Sequence, residues 1–170
     1  MLISSGGYSP VEAGLALLPL PVLMTALSPK MGSLATRMGA RLPLTAGPLV
    51  VAAGLLLSWL IDPHSSYWRS AFPAILVLAL GMTIAVAPLT ASVLGSVEEK
   101  HVAMASGFNS AVARTGGLIA TALLGAVLAS TGDALFGGFH AAMTVSAAVA
   151  ALASLVGLTM LGGVRMKNAA

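Results

Sequence analysis

The spacing of its charges constrains this chain more than any other feature. Eight Lys or Arg and five Asp or Glu are all that 170 residues contain, and they leave long uncharged runs between them. Residues 13–29 lie between Glu12 and Lys30, 42–61 between Arg41 and Asp62, and 70–97 between Arg69 and Glu98. Residues 102–132 hold Arg114 alone, and 134–164 hold no charge. A helix that crosses a bilayer needs about 20 mostly apolar residues, within a range of about 17–25. Every run reaches that length, which predicts five spanning helices over 12–30, 43–61, 73–95, 104–129 and 141–163. The runs are continuous and lack the in–out alternation of barrel strands. The expected fold is therefore an all-α, polytopic membrane helical bundle.

Composition closes off the other classes. Hydrophobic residues make up 58% and charged residues 8%, whereas a soluble domain carries about 25% charge to dress its surface. The same figures exclude a disordered chain and a nucleic-acid binder working through a basic face. With no cysteine there is no disulfide scaffold, thiolate metal site or cysteine nucleophile. His64, His101 and His140 are far apart without metal-ligand spacing, and no zinc-protease, nucleophile-elbow or phosphate-loop motif occurs. Ser106 and His140 begin different spans at opposite faces, on the order of 30 Å apart, so an intramembrane serine protease fails on geometry. The expectation is a protein that is not an enzyme and holds no cofactor or metal.

Charge position sets the expected orientation. Lys30, Arg37, Arg41, Lys100, Arg165 and Lys167 fall on one side of the five spans, against Arg69 on the other. The positive-inside rule places the six in the cytoplasm, with the C-terminus inside and the N-terminus outside a multi-pass cell-membrane protein. Trp59, Tyr67 and Trp68 cluster at the second connection, where amphipathic rings favour the headgroup layer. Residues Met1 to Pro10 read as neither a signal peptide nor a sixth span, though their composition fits the tail of one.

Lipid gives no hydrophobic drive between helices, so association depends on close backbone approach and polar contacts. Two stripes of small residues at steps of four suggest packing faces: Ala113, Gly117, Thr121, Gly125 and Ala129, then Ala142, Ser146, Ala150 and Ser154. Pro19, Pro21 and Pro29 in the first span, and Pro73 and Pro88 in the third, remove backbone donors. Pro19, Pro21 and Pro88 are the expected kinks. The segments around Asp62-Pro63, Glu98-Glu99 and Gly132-Asp133 through Gly137-Gly138 read as connections.

After the first span comes Gly32-Ser33-Leu34-Ala35-Thr36-Arg37-Met38-Gly39-Ala40-Arg41. This resembles the G-x-L-a-D-r-x-G-r-r/k cytoplasmic loop of the major facilitator superfamily, with Thr36 at the usual acidic position. Gly32, Leu34, Arg37, Gly39 and Arg41 carry the match. In that setting the glycines allow close approach and a tight turn, and the arginines anchor the inner face and cap helix C-termini. Gly7-Tyr8-Ser9-Pro10, Gly81 through Thr90, and Ala105 through Gly117 are similar, in order, to segments of the fourteen-helix drug:proton antiporter branch. The resemblance implies that the spans match the last five helices of a permease, the C-terminal part of a major-facilitator fold. It also implies proton-coupled efflux of small amphipathic compounds. A missing N-terminal half, a small-molecule substrate, protons and the bilayer are the implied partners. A five-helix chain of this kind is not expected to transport alone, and the alternative is a non-transporting remnant or accessory small membrane protein.

Arg114 is the ionisable residue well inside an expected span, with Asn109 five residues before it. Such a charge costs about 2.5–3.5 kcal/mol on insertion scales, which points to a cavity, gate or partner. The other reading has the fourth helix starting in the headgroup zone, with Arg114 snorkelling back to anchor its inner end. No carboxylate lies in the interior of any span, so a proton carrier is expected in the missing portion.

Overall fold

The computed structural model describes residues 9–61, 67–128 and 133–160. Six helices follow in order: α1 (Pro10–Leu17), α2 (Pro19–Met38), α3 (Arg41–Leu57), α4 (Ala71–Gly95), α5 (Val102–Leu128) and α6 (Asp133–Met160). A 3-10 turn, Ser58–Leu60, extends α3, and another, Glu99–His101, leads into α5. No strand occurs among the described residues. α3 sits against both α4 and α6, and α4 also packs on α2. α5 touches α4 and α6 only sparingly.

The interior is built from small residues and the exterior from large ones. The buried hydrophobic side chains among the described residues are all alanines, including Ala35, Ala52, Ala79 and Ala147. The bulkiest side chains that are fully enclosed belong to Thr83 and Pro88. Leu15, Val22, Leu56, Phe108, Leu123 and Val149 are exposed. Water would reverse this arrangement, because burial of bulky apolar surface drives folding there. In lipid, small residues let backbones meet while leucine and phenylalanine face acyl chains. Among the described residues four stretches are long and apolar enough to cross a bilayer: Pro10–Ala35, Arg41–Leu60, Ala71–Gly95 and Gly137–Thr159. α5 also has the length, at 27 residues.

Glycines on α3 and α4 make the tightest seam. A Cβ on Gly47 would lie 2.8 Å from the Ala85 nitrogen, one on Gly54 2.7 Å from that of Leu78, and one on Gly81 2.5 Å from that of Val51. Any side chain at these points would push the antiparallel backbones apart. α6 joins through Ser154, whose hydroxyl donates to the Thr45 carbonyl at 2.7 Å, and through Gly157, whose Cβ position lies 2.8 Å from the Leu44 carbonyl oxygen. Pro48 carries no N–H for that carbonyl, so the carbonyl freed by the proline is the one α6 approaches. Within the helices, Thr25, Thr45, Thr83 and Thr144 turn their hydroxyls back onto carbonyls four residues earlier, which keeps these groups satisfied in an apolar solvent.

Three expectations need correction. The stripe Ala113, Gly117, Thr121, Gly125 is exposed, and Gly117 and Gly125 have nothing within 4 Å of a Cβ position; Ala129 lies outside the described residues. On α6 the buried face includes Ala147, Ser154 and Gly157, while Ser146 is exposed. The segment from Asp133 through Gly138 is helical and opens α6, because glycine weakens a helix by only about 1 kcal/mol and the apolar and small residues from Phe139 to Met160 continue it.

Candidate functional site

The Gly32–Arg41 motif is mostly helix rather than loop. α2 runs through Met38, and only Gly39 and Ala40 separate it from α3. Gly39 has φ +84°, a left-handed conformation that suits glycine and turns the chain in two residues. Gly32 meets nothing within 4 Å, and Leu34 is exposed, so neither makes a close approach to a helix here. Arg37 stands exposed in the last turn of α2, where a cation complements the helix dipole. Arg41 reaches across the bundle and donates from its guanidinium to the Leu158 carbonyl at 3.2 Å. It therefore caps the last turns of α6 from the start of α3.

This contact fixes which ends lie together. The α2–α3 turn and the end of α6 share one end of the bundle. At the other end, Trp59 follows α3 and stacks on His140 of α6, ring centroids 4.8 Å apart and planes 18° apart. The Trp59 indole N–H donates to the Thr144 hydroxyl at 3.2 Å. Two polar clamps thus hold α3 and α6 at opposite ends, with the Ser154 hydrogen bond nearer the Arg41 clamp.

Proline positions differ in effect. Pro19 opens α2 just after α1 ends, with Leu18 between them donating its N–H to the Leu15 carbonyl at 3.1 Å. Pro21 lies in the first turn of α2. Pro88 is buried inside α4, which continues past it to Gly95. Glu12 is committed locally: its carboxylate accepts from the Ser9 N–H at 2.8 Å while the Ser9 hydroxyl accepts from the Glu12 N–H, a capping box at the start of α1.

Asn109 and Arg114 lie on α5, Asn109 half-buried and Arg114 exposed. Neither side chain has a hydrogen-bond or ionic partner among the described residues. Five residues apart, they are separated by roughly 7.5 Å along the axis and about 140° around it. From Ser110 to Leu123 every α5 side chain is exposed. The helix presents Leu118, Ile119 and Leu123 together with the small stripe and Arg114 to whatever surrounds it.

Residues 2–168 match the family model described as Major Facilitator Superfamily. The chain belongs to the major facilitator superfamily. Among its relatives are the Multidrug resistance protein Stp of Mycobacterium tuberculosis, 33% identical over 129 residues, and the Tetracenomycin C resistance and export protein of Streptomyces glaucescens, 31% identical over 124 residues. Each alignment takes in 73% of this chain and 23% of the relative. The chain thus spans about a quarter of the length of the curated relatives it matches. No solved structure matches it significantly. Superfamily membership and the inverted distribution of bulk agree: this is a multi-pass, all-α membrane protein. No sequence signal pointed to Gly47, Gly54 and Gly81 as the seam, or to Leu158 as the carbonyl Arg41 reaches.

Proposed function

We propose that the chain is the C-terminal portion of a major-facilitator exporter that expels small amphipathic compounds, drugs among them, in exchange for protons. The observation that carries this reading is α5. A 27-residue helix with an unpartnered arginine and an exposed small-residue stripe is an incomplete packing arrangement, and the rest of a permease supplies what it lacks. The relatives' printed names, multidrug resistance and tetracenomycin C export, support this substrate class. The substrate path forms between this portion and the remainder; Arg114 lies on the exposed side of α5 that meets the remainder, and Asn109 lies about 140° round the helix, half-buried toward this portion. The proton carrier resides in the remainder, since Glu12 is used as a helix cap. The basic Lys30, Arg37, Arg41 and Lys100 face the cytoplasm, and the N-terminus lies outside.

Efflux of a fluorescent amphipathic cation, in cells stripped of their own exporters, tests the proposal. The 170-residue chain alone is expected to give no efflux above empty vector. The chain joined to the preceding portion of a relative is expected to export, and a protonophore is expected to abolish it. Export by the chain alone contradicts the reading. A joined protein that folds but never exports favours a non-transporting accessory protein.

A further inference from the structure

We propose that α1 is a hinged strap, held shut by a hydrogen bond from Tyr67. The first expected span is two helices, and the division falls at Leu18. Pro19 has no N–H for the Leu15 carbonyl and Pro21 none for that of Leu17, so two ladder bonds are absent within one turn. The Leu15 carbonyl instead accepts the Leu18 N–H in a tightened turn. Loss of successive ladder bonds is a recognised cause of bending in helices. The segment beyond this point is only eight residues long, and among the described elements it packs chiefly on α2.

A long-range contact also holds it. The Tyr67 hydroxyl donates to the Ala16 carbonyl at 2.6 Å, bridging 51 residues from the α3–α4 connection to the last turn of α1. Ala13 and Ala16 are the buried residues of α1, while Val11, Leu15 and Leu17 are exposed. Tyr67 is itself held in place. Its ring meets Trp68 edge-on at 5.5 Å and Phe72 at 5.9 Å, and its carbonyl accepts from the Phe72 N–H at 2.9 Å. A fixed donor therefore meets a carbonyl on a segment that joins α2 through Leu18, still helical in its dihedrals, across a stretch where two ladder bonds are missing. The catch is Tyr67, the hinge is Leu18 to Pro21, and the moving part is α1 at the Trp59 end of the bundle. The device follows from helix geometry and does not depend on which compound is carried.

The absence of cysteine permits clean spin labelling. The full chain in liposomes would carry labels at Val11→Cys and Leu56→Cys, and electron–electron double resonance would report the distance between α1 and α3. A second pair, Leu49→Cys and Leu80→Cys, monitors α3 against α4. Removing one hydrogen bond of ordinary strength shifts a two-state equilibrium about fivefold. Tyr67→Phe is therefore expected to raise the open population about fivefold in the first pair and leave the second unchanged. Adding Pro19→Ala and Pro21→Ala restores the ladder and is expected to return the distribution to the closed distance. An unchanged Val11–Leu56 distribution in Tyr67→Phe overturns the proposal, as does an opening that persists once both prolines are replaced. Movement of both pairs together overturns it as well, by showing general loosening rather than a hinge.

Discussion

At the scale of single residues, glycines with identical freedom in a helix have opposite importance. Gly81 has no room for a methyl group against the Val51 backbone, whereas Gly32 has open space around it. Gly81→Ala is expected to destabilise the bundle by about 1–3 kcal/mol, the usual range for overpacking, whereas Gly32→Ala, in open space inside α2, is expected to stabilise it by about 0.5–1 kcal/mol. Reversible unfolding in mixed micelles would rank the two. Arg41 makes a different kind of contact, a charged donor on a helix-end carbonyl. Arg41→Ala is expected to weaken the α3–α6 association by about 1 kcal/mol, while Arg37→Ala, which loses only its proximity to a helix end, has less effect. The same unfolding measurement distinguishes them. Which carbonyl Arg41 reaches was hidden in the sequence, because 117 residues separate the partners.

At the scale of elements, helices were legible wherever charge and proline punctuate apolar runs. Arg69 and Glu98 bracket α4, and Asp62 follows α3 closely. The packing between helices was far less legible. In a chain with 19 glycines, small residues at steps of four occur on several helices, and periodicity does not say which of them meets another backbone. Gly47, Val51 and Gly54 on α3 meet Ala85, Gly81 and Leu78 on α4, while Gly117 and Gly125 in the more regular stripe on α5 meet nothing within 4 Å. The motif from Gly32 to Arg41 likewise looked like a loop, but only Gly39 and Ala40 leave the helix, because Leu34, Ala35 and Met38 are adequate helix formers. The α5 stripe yields a prediction of its own. Gly117→Leu is expected to leave the isolated chain no less stable, and to raise its unfolding free energy by up to about 1 kcal/mol by removing a helical glycine. The same change in the joined permease is expected to cut efflux at least tenfold, since a bulky residue there would block the partner helix. Drug accumulation assays and unfolding on the two forms check both halves of that statement.

At the scale of the whole molecule, the distribution of size and charge is the dominant fact. Alanine, glycine, serine and proline occupy the interior, bulky apolar side chains cover the outside, and one end is basic. Arg41 bound to the end of α6 brings the α2–α3 turn and the end of α6 to that end, and Trp59 on His140 marks the other. By the positive-inside rule, the proposed orientation follows from that polarity. Single cysteines introduced at Trp68 and at Glu99, probed with a membrane-impermeant maleimide in intact cells, measure it most directly. The account predicts that Trp68→Cys is labelled from outside and Glu99→Cys only after the cells are opened. Labelling of both from the same side would contradict it.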